Sequence, residues 1–221
     1  MGTITRNAAN NFTTGGVILP AAINDTSVAS ISELENAAAG GAMNLISEQT
    51  ASGSASIEFT SGIDSTYPIY RFEFINIHPS TAERQLIFNM STDGGSNYNV
   101  TKTTTFFRAN HREDDGGADL AYRTGDDLAQ STSYQKLSAD NGAGNDEALS
   151  GYLIIFNPSS TTFVKHFIAE SNSYQILQDH TNHSFIAGYG NTTSSVNAIR
   201  FIMETGNIDS GTFKLYGISG S

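Results

Sequence analysis

The sequence predicts an all-β protein, an antiparallel β-sandwich (jelly-roll-like) preceded by an extended N-terminal arm. Three observations carry that expectation. From Met43 onward, apolar and polar residues alternate with a period of two, the repeat of a strand with one buried face. The alternating runs are rich in Ile, Phe, Tyr, Thr and Val, and Gly, Asn, Asp and Ser punctuate them, which is strand-and-turn chemistry. Past the arm, no long run carries a helical apolar period.

The division falls at residue 42, giving an arm over 1–42 and a sandwich domain over 43–221. The arm holds small and amide residues, with Asn7, Asn10 and Asn11 at one end and Gly40 and Gly41 at the other. Its one apolar patch, Val17, Ile18, Leu19 and Pro20, is the expected assembly contact, because so few large apolar groups cannot build a core of their own. A short helix is expected over 26–36, capped by Ser30 or Ser32 and stopped by Gly40 and Gly41.

Strands are expected over 43–48, 56–60, 69–75, 85–90, 99–108, 133–137, 151–156, 162–169, 184–189, 199–203 and 211–218. The clearest is the third, where Tyr70, Phe72 and Phe74 share one face and Arg71 and Glu73 take the other. Ile199, Phe201 and Met203 oppose Arg200 and Glu204, and Phe213 and Leu215 oppose Lys214, in the same way. Between His111 and Ser150 the rhythm breaks. Acidic residues and glycines accumulate there, and the stretch is expected to form two long solvent-facing loops around a short strand pair.

Charge and composition exclude several functions. Lys and Arg total 11 against 22 Asp and Glu, a formal net charge of −11. With the cations scattered, the chain repels a phosphate backbone, so no nucleic-acid partner is expected. No apolar run is long enough to cross a membrane as a helix, and the N-terminus lacks a signal-peptide pattern. With no cysteine, there is no disulfide, thiolate nucleophile or Cys-based metal site.

Ser91, Asp93, Gly95 and Tyr98 fit the Asp-box pattern Ser-x-Asp-x-Gly-x-x-aromatic. In this pattern the carboxylate accepts backbone N–H groups across a turn, and the expected product is a structural β-hairpin rather than a catalytic centre. The exposed acids Asp114, Asp115, Asp119, Asp140, Asp146 and Glu147 are the candidate ligand contacts, for Ca²⁺ or a glycan. The donors around Asp140 do not follow the EF-hand spacing. His180 and His183 would pair on a metal only if helical. No nucleophile elbow, phosphate loop or dinucleotide fingerprint is present, no carboxylate pair stands out for glycoside hydrolysis, and no cofactor is expected.

Several phrases resemble a module of structural and tail-fibre-like virion proteins of marine bacteriophages, including those that infect cyanobacteria. They include Phe59-Thr60-Ser61-Gly62-Ile63-Asp64-Ser65-Thr66-Tyr67, Phe74-Ile75-Asn76-Ile77-His78-Pro79-Ser80, Phe156-Asn157-Pro158-Ser159-Ser160, Phe185-Ile186-Ala187-Gly188-Tyr189 and Gly206-Asn207-Ile208-Asp209-Ser210-Gly211-Thr212. The resemblance runs from about Met43 to the C-terminus. It implies residence in the virion without enzymatic activity, most directly as a tail-fibre or appendage component anchored by the arm. Capsid decoration is the alternative, and a glycan-active enzyme stands third. It also implies other virion proteins as partners through the arm, self-association (trimers being common in appendages), and a host surface glycan as ligand.

Overall fold

The computed structural model describes residues 43–175 and 179–219. The expected helix over 26–36 and the assembly residues Val17 to Pro20 lie outside them. Among the described residues there is no helix. Twelve strands form two antiparallel sheets: β1 (Met43–Ser54), β2 (Ile57–Phe59), β3 (Ile69–Pro79), β4 (Leu86–Ser91), β5 (Lys102–Arg112), β6 (Ala118–Tyr122), β7 (Gln135–Lys136), β8 (Leu149–Phe156), β9 (Lys165–Gln175), β10 (His180–Gly190), β11 (Ala198–Met203) and β12 (Ile208–Ile218). The larger sheet has the order β1-β12-β3-β8-β9-β10-β5-β6, and the smaller β2-β11-β4-β7.

That order is a jelly roll with two insertions. Setting aside the pairs β5–β6 and β9–β10, the remaining eight strands pair first with last: β1 with β12, β2 with β11, β3 with β8 and β4 with β7. This is one long antiparallel ribbon folded across two sheets. The inserted strands then extend the larger sheet beyond β8, so that it outgrows its partner and ends on β6.

Alternation fixes which side chains meet between the sheets. Tyr70, Phe72 and Phe74 of β3 and Phe213 and Leu215 of β12 point inward from the larger sheet, and Phe88 of β4 and Ile199, Phe201 and Met203 of β11 from the smaller. Phe201 is the hub. Its ring centroid lies 5.1 Å from that of Phe74, 5.4 Å from Phe213 and 5.5 Å from Phe72. It therefore holds the two sheets together directly, and each fully buried ring of this kind contributes roughly 1.5–3 kcal/mol.

Toward β9, β10 and β5 the interior turns polar. Ser171, Ser173, Asn182 and Ser184 are buried there, with Lys102 on β5 and Lys165 on β9. The Lys165 ammonium is capped by the carbonyls of Ser160, Phe163 and Thr192. Buried charge is tolerated only when its donors are satisfied in this manner.

The region between His111 and Ser150 is more ordered than the sequence suggests. The two long loops expected there run over 123–134 and 137–148, on either side of the short β7 rather than of a strand pair, and the stretch also contributes the end of β5, the whole of β6 and the start of β8. The strand β6 was not expected. Its residues Ala118-Asp119-Leu120-Ala121-Tyr122 have weak strand propensity at three of five positions. Pairing with β5, in register from Phe107↔Tyr122 to His111↔Ala118, holds it in the sheet.

Candidate functional site

A polar groove lies at one end of the larger sheet. Irregularities in two neighbouring strands create it. The β3–β8 register shifts between Phe74 and Ile77, where Asn76 adopts φ 50°. The β12–β3 register shifts on either side of Ser210. Gly211, at φ 126°, lies so close to the Asn76 carbonyl that a Cβ would meet that oxygen at 2.8 Å. Such bulges re-aim side chains out of the regular alternation, and here they turn Asn76 and Asp209 toward the segment that joins β7 to β8.

One lobe of the groove, of about 370 Å³, is lined by Asn76, His78, Asn145, Asp146 and Asp209 among others. The second, of about 260 Å³, shares Asn76 and Asp146 and continues along the outer face past Ser150, Asn172, Tyr174 and Thr181. The His78 Nε2–H donates to the Gly144 carbonyl at 2.9 Å, which turns Nδ1 toward the Asp209 carboxylate at 3.4 Å. The Ser150 hydroxyl accepts the Asn76 N–H at 3.0 Å. Asn172 Nδ2 donates to the Thr181 hydroxyl at 2.8 Å. Tyr174 donates its hydroxyl to Asp179 at 2.8 Å, and that bond, ahead of burial, pushes the phenol up to about 12. Amides, hydroxyls, an imidazole and carboxylates therefore line a surface that is more polar than apolar. That is chemistry for a polyhydroxylated ligand, and Asp146 and Asp209 disfavour an anionic one.

The acids singled out from the sequence do not gather at this site as a set. Asp146 lines both lobes and Glu147 the first. Glu147 is buried and caps the Gly144 N–H. Asp114 and Asp115 lie on the β5–β6 turn. Arg112 holds Asp114 through bonds of 2.9 and 2.7 Å and keeps its carboxyl below the usual carboxylate range, and His111 faces Asp115 at 3.0 Å. Asp119 lies on β6. Asp140 is bonded to the Gln85 amide, and burial raises its pKa. Among the described residues no group of three or more His, Asp or Glu side chains is placed to hold a metal ion. His180 and His183 face opposite sides of β10, His180 inward and His183 outward.

The Asp-box residues form a tight turn with a different role from the expected hairpin. Asp93 Oδ1 accepts the Asn97 N–H at 2.9 Å, Oδ2 accepts from Asn97 Nδ2 at 2.8 Å, and the Ser91 hydroxyl donates to Oδ1 at 2.7 Å. These bonds, led by those from Asn97, draw the carboxyl down to about 2. Gly94 and Gly95 supply the positive φ the turn requires, and Gly95 packs on the Tyr98 hydroxyl. However, β4 belongs to the smaller sheet and β5 to the larger. The turn is thus a corner that carries the chain between sheets. Beneath it, Tyr98 donates to Glu58 at 3.1 Å, and Arg200 lies 4.0 Å over the Tyr98 ring.

Sequence reasoning missed Asn76, His78, Asp209, Asn172 and Tyr174, the residues that give the groove its shape. The pairing of β3 with β12 and β8, and of β8 with β9, brings them near Asp146. Single-strand patterns carry no trace of that neighbourhood. No family model matches the chain, and neither the curated proteins nor the solved structures include one similar to it.

Proposed function

We propose that this chain is a non-enzymatic bacteriophage virion protein, a tail-fibre or appendage component whose residues 1–42 attach it to the particle and whose sandwich is displayed. The observation that carries the reading is the eight-strand jelly roll enlarged by two long strand pairs. Jelly rolls recur in viral capsid and lectin domains. A fold alone does not specify a function, so the reading also leans on the resemblance of the 43–221 phrases to virion proteins. Several surface cations pair with carboxylates, as in Arg71 with Glu73, Lys214 with Glu48 and Lys136 with Asp126.

Within that role, the groove around Asn76 and Asp146 is the surface for a neutral host glycan. The experiment is a binding assay of the full chain against a panel of envelope glycans, with Asp146→Ala and Asn76→Ala alongside. The reading expects retention of neutral sugars and at least about tenfold weaker binding by each variant, the scale of one or two lost hydrogen bonds. Binding that neither substitution weakens would remove the groove from the reading. Truncation of residues 1–42 is expected to abolish incorporation into particles while leaving glycan binding intact.

A further inference from the structure

The larger sheet ends on β6, a short edge strand of five residues. Its two outward-facing large side chains are well exposed, Leu120 at 69% and Tyr122 at 51%. No lysine, proline or bulge interrupts Ala118–Tyr122, although edges that must stay single are commonly blunted by such features. The phase of the β5–β6 ladder determines what this edge offers. The Arg123 N–H donates to the Phe106 carbonyl at 2.8 Å, and the Arg112 N–H to the Gly117 carbonyl at 3.0 Å. In an antiparallel ladder, peptide groups alternate between the two sides. Asp119 and Ala121 therefore turn theirs toward β5, and Ala118, Leu120 and Tyr122 turn theirs away. Among the described residues these outward groups have no backbone partner.

We infer that a second copy of this chain occupies the edge, with the two β6 strands paired antiparallel about a two-fold axis at Leu120. The register follows from the free groups. Leu120 faces Leu120 of the second copy, and Ala118 faces its Tyr122, so every outward N–H and C=O is used. Side-chain charge fits the same register. Asp119 falls directly opposite Ala121, so the two Asp119 side chains are diagonal neighbours rather than a facing like-charge pair. Arg123 falls opposite Gly117, beside the acidic turn that carries Glu113, Asp114 and Asp115. The same contact repeats on the other side of the axis, as an isologous interface requires.

The outer face continues the match. Phe185 and Phe107 stack at 4.8 Å with planes 10° apart, and Phe107 pairs with Tyr122. Pairing would extend this aromatic row across the junction onto Ala118 of the second copy. Two eight-stranded sheets would become one, and the assembly would be even-numbered. The inference gives the self-association that the resemblance implies a specific interface, two-fold rather than the three-fold common in appendages. Its failure is separable, because virion residence is read from particles and this contact from the isolated chain.

The test uses the full chain, which has no native cysteine. The two Leu120 Cα atoms would lie about 5.5 Å apart, within disulfide range. Under mild oxidation Leu120→Cys should form a covalent dimer. Ala118→Cys alone should not, yet a mixture of Ala118→Cys with Tyr122→Cys should. By analytical ultracentrifugation the unaltered chain should sediment as a dimer or an even multiple. Leu120→Lys should halve that mass while retaining its β circular dichroism spectrum. A monomeric unaltered chain, an odd-numbered assembly, a mass unchanged by Leu120→Lys, or a Leu120→Cys chain that does not cross-link would each overturn the inference.

Discussion

The ammonium of Lys102 lies 2.5 Å from the side-chain oxygen of Asn89, in an interior where both residues are fully buried. Its second acceptor is the Val100 carbonyl at 2.8 Å, and burial lowers its pKa to about 7. Between that value and the ordinary 10.5, the unfolded chain binds a proton that the folded chain does not. Stability therefore rises with pH through this window, and below it the penalty is constant. We predict that equilibrium urea unfolding will show stability increasing from pH 7 toward pH 10. Lys102→Met should flatten that slope and raise stability at pH 7 by a few kcal/mol, on the order expected for removing a buried charge. Asn89 would still accept the Met90 N–H at 2.9 Å. An unchanged slope would show that Lys102 is not the group responsible.

Phe201→Ala should be among the most damaging substitutions in the sandwich. The ring touches Phe72, Phe74 and Phe213 across the sheet interface and Phe59 within its own sheet. Opening that cavity costs about 3–5 kcal/mol. Denaturant midpoints measured at unchanged m-value will report it, and Phe201→Leu should lose clearly less.

Asp93 stabilises the corner through its ionised form. Its carboxyl is drawn down to about 2 from 3.8, so its contribution is fully present above pH 4 and disappears as pH falls through about 2. Asp93→Asn should remove that acid-dependent component and leave the unfolding curve near neutrality shifted slightly downward. Acid titration of the two proteins, followed by tyrosine fluorescence, compares them directly.

Arg200 of β11 links β2 to the segment between β4 and β5, with its Nε 2.8 Å from Glu58 and its guanidinium over Tyr98. Burial opposes ionisation of Glu58, yet bonds from Ser56, Tyr98 and Arg200 hold its carboxyl below the ordinary value. Arg200→Lys keeps the charge but loses the planar stack, a change of about 0.5–1 kcal/mol at a partly exposed site. Thermal unfolding of Arg200→Lys beside Arg200→Met separates the charge from the stack.

The core was legible because large apolar side chains mark every second position, as in Tyr70, Phe72 and Phe74. The ends of β9 and β10 were not. Their inward residues are Ser171, Ser173, His180, Asn182 and Ser184, so burial there leaves no hydrophobic period to detect. The expected strands at 162–169 and 184–189 consequently stop short of β9 and β10. β6 was hidden for a different reason, since its partner strand, rather than its own propensity, holds it in the sheet. The groove depends on bulges in β3 and β12 and on contacts between residues as far apart as His78 and Asp209. Such pairings are properties of the assembled sheets.

The proposed residence in an external appendage of the virion is tested most directly by labelling purified particles. Gold-conjugated antibody against the 43–221 domain, viewed by electron microscopy, should mark the tail or its fibres at a regular copy number. Label confined to the head would contradict the appendage role and favour capsid decoration. Particles free of label, with the protein left in the soluble lysate, would contradict virion residence itself.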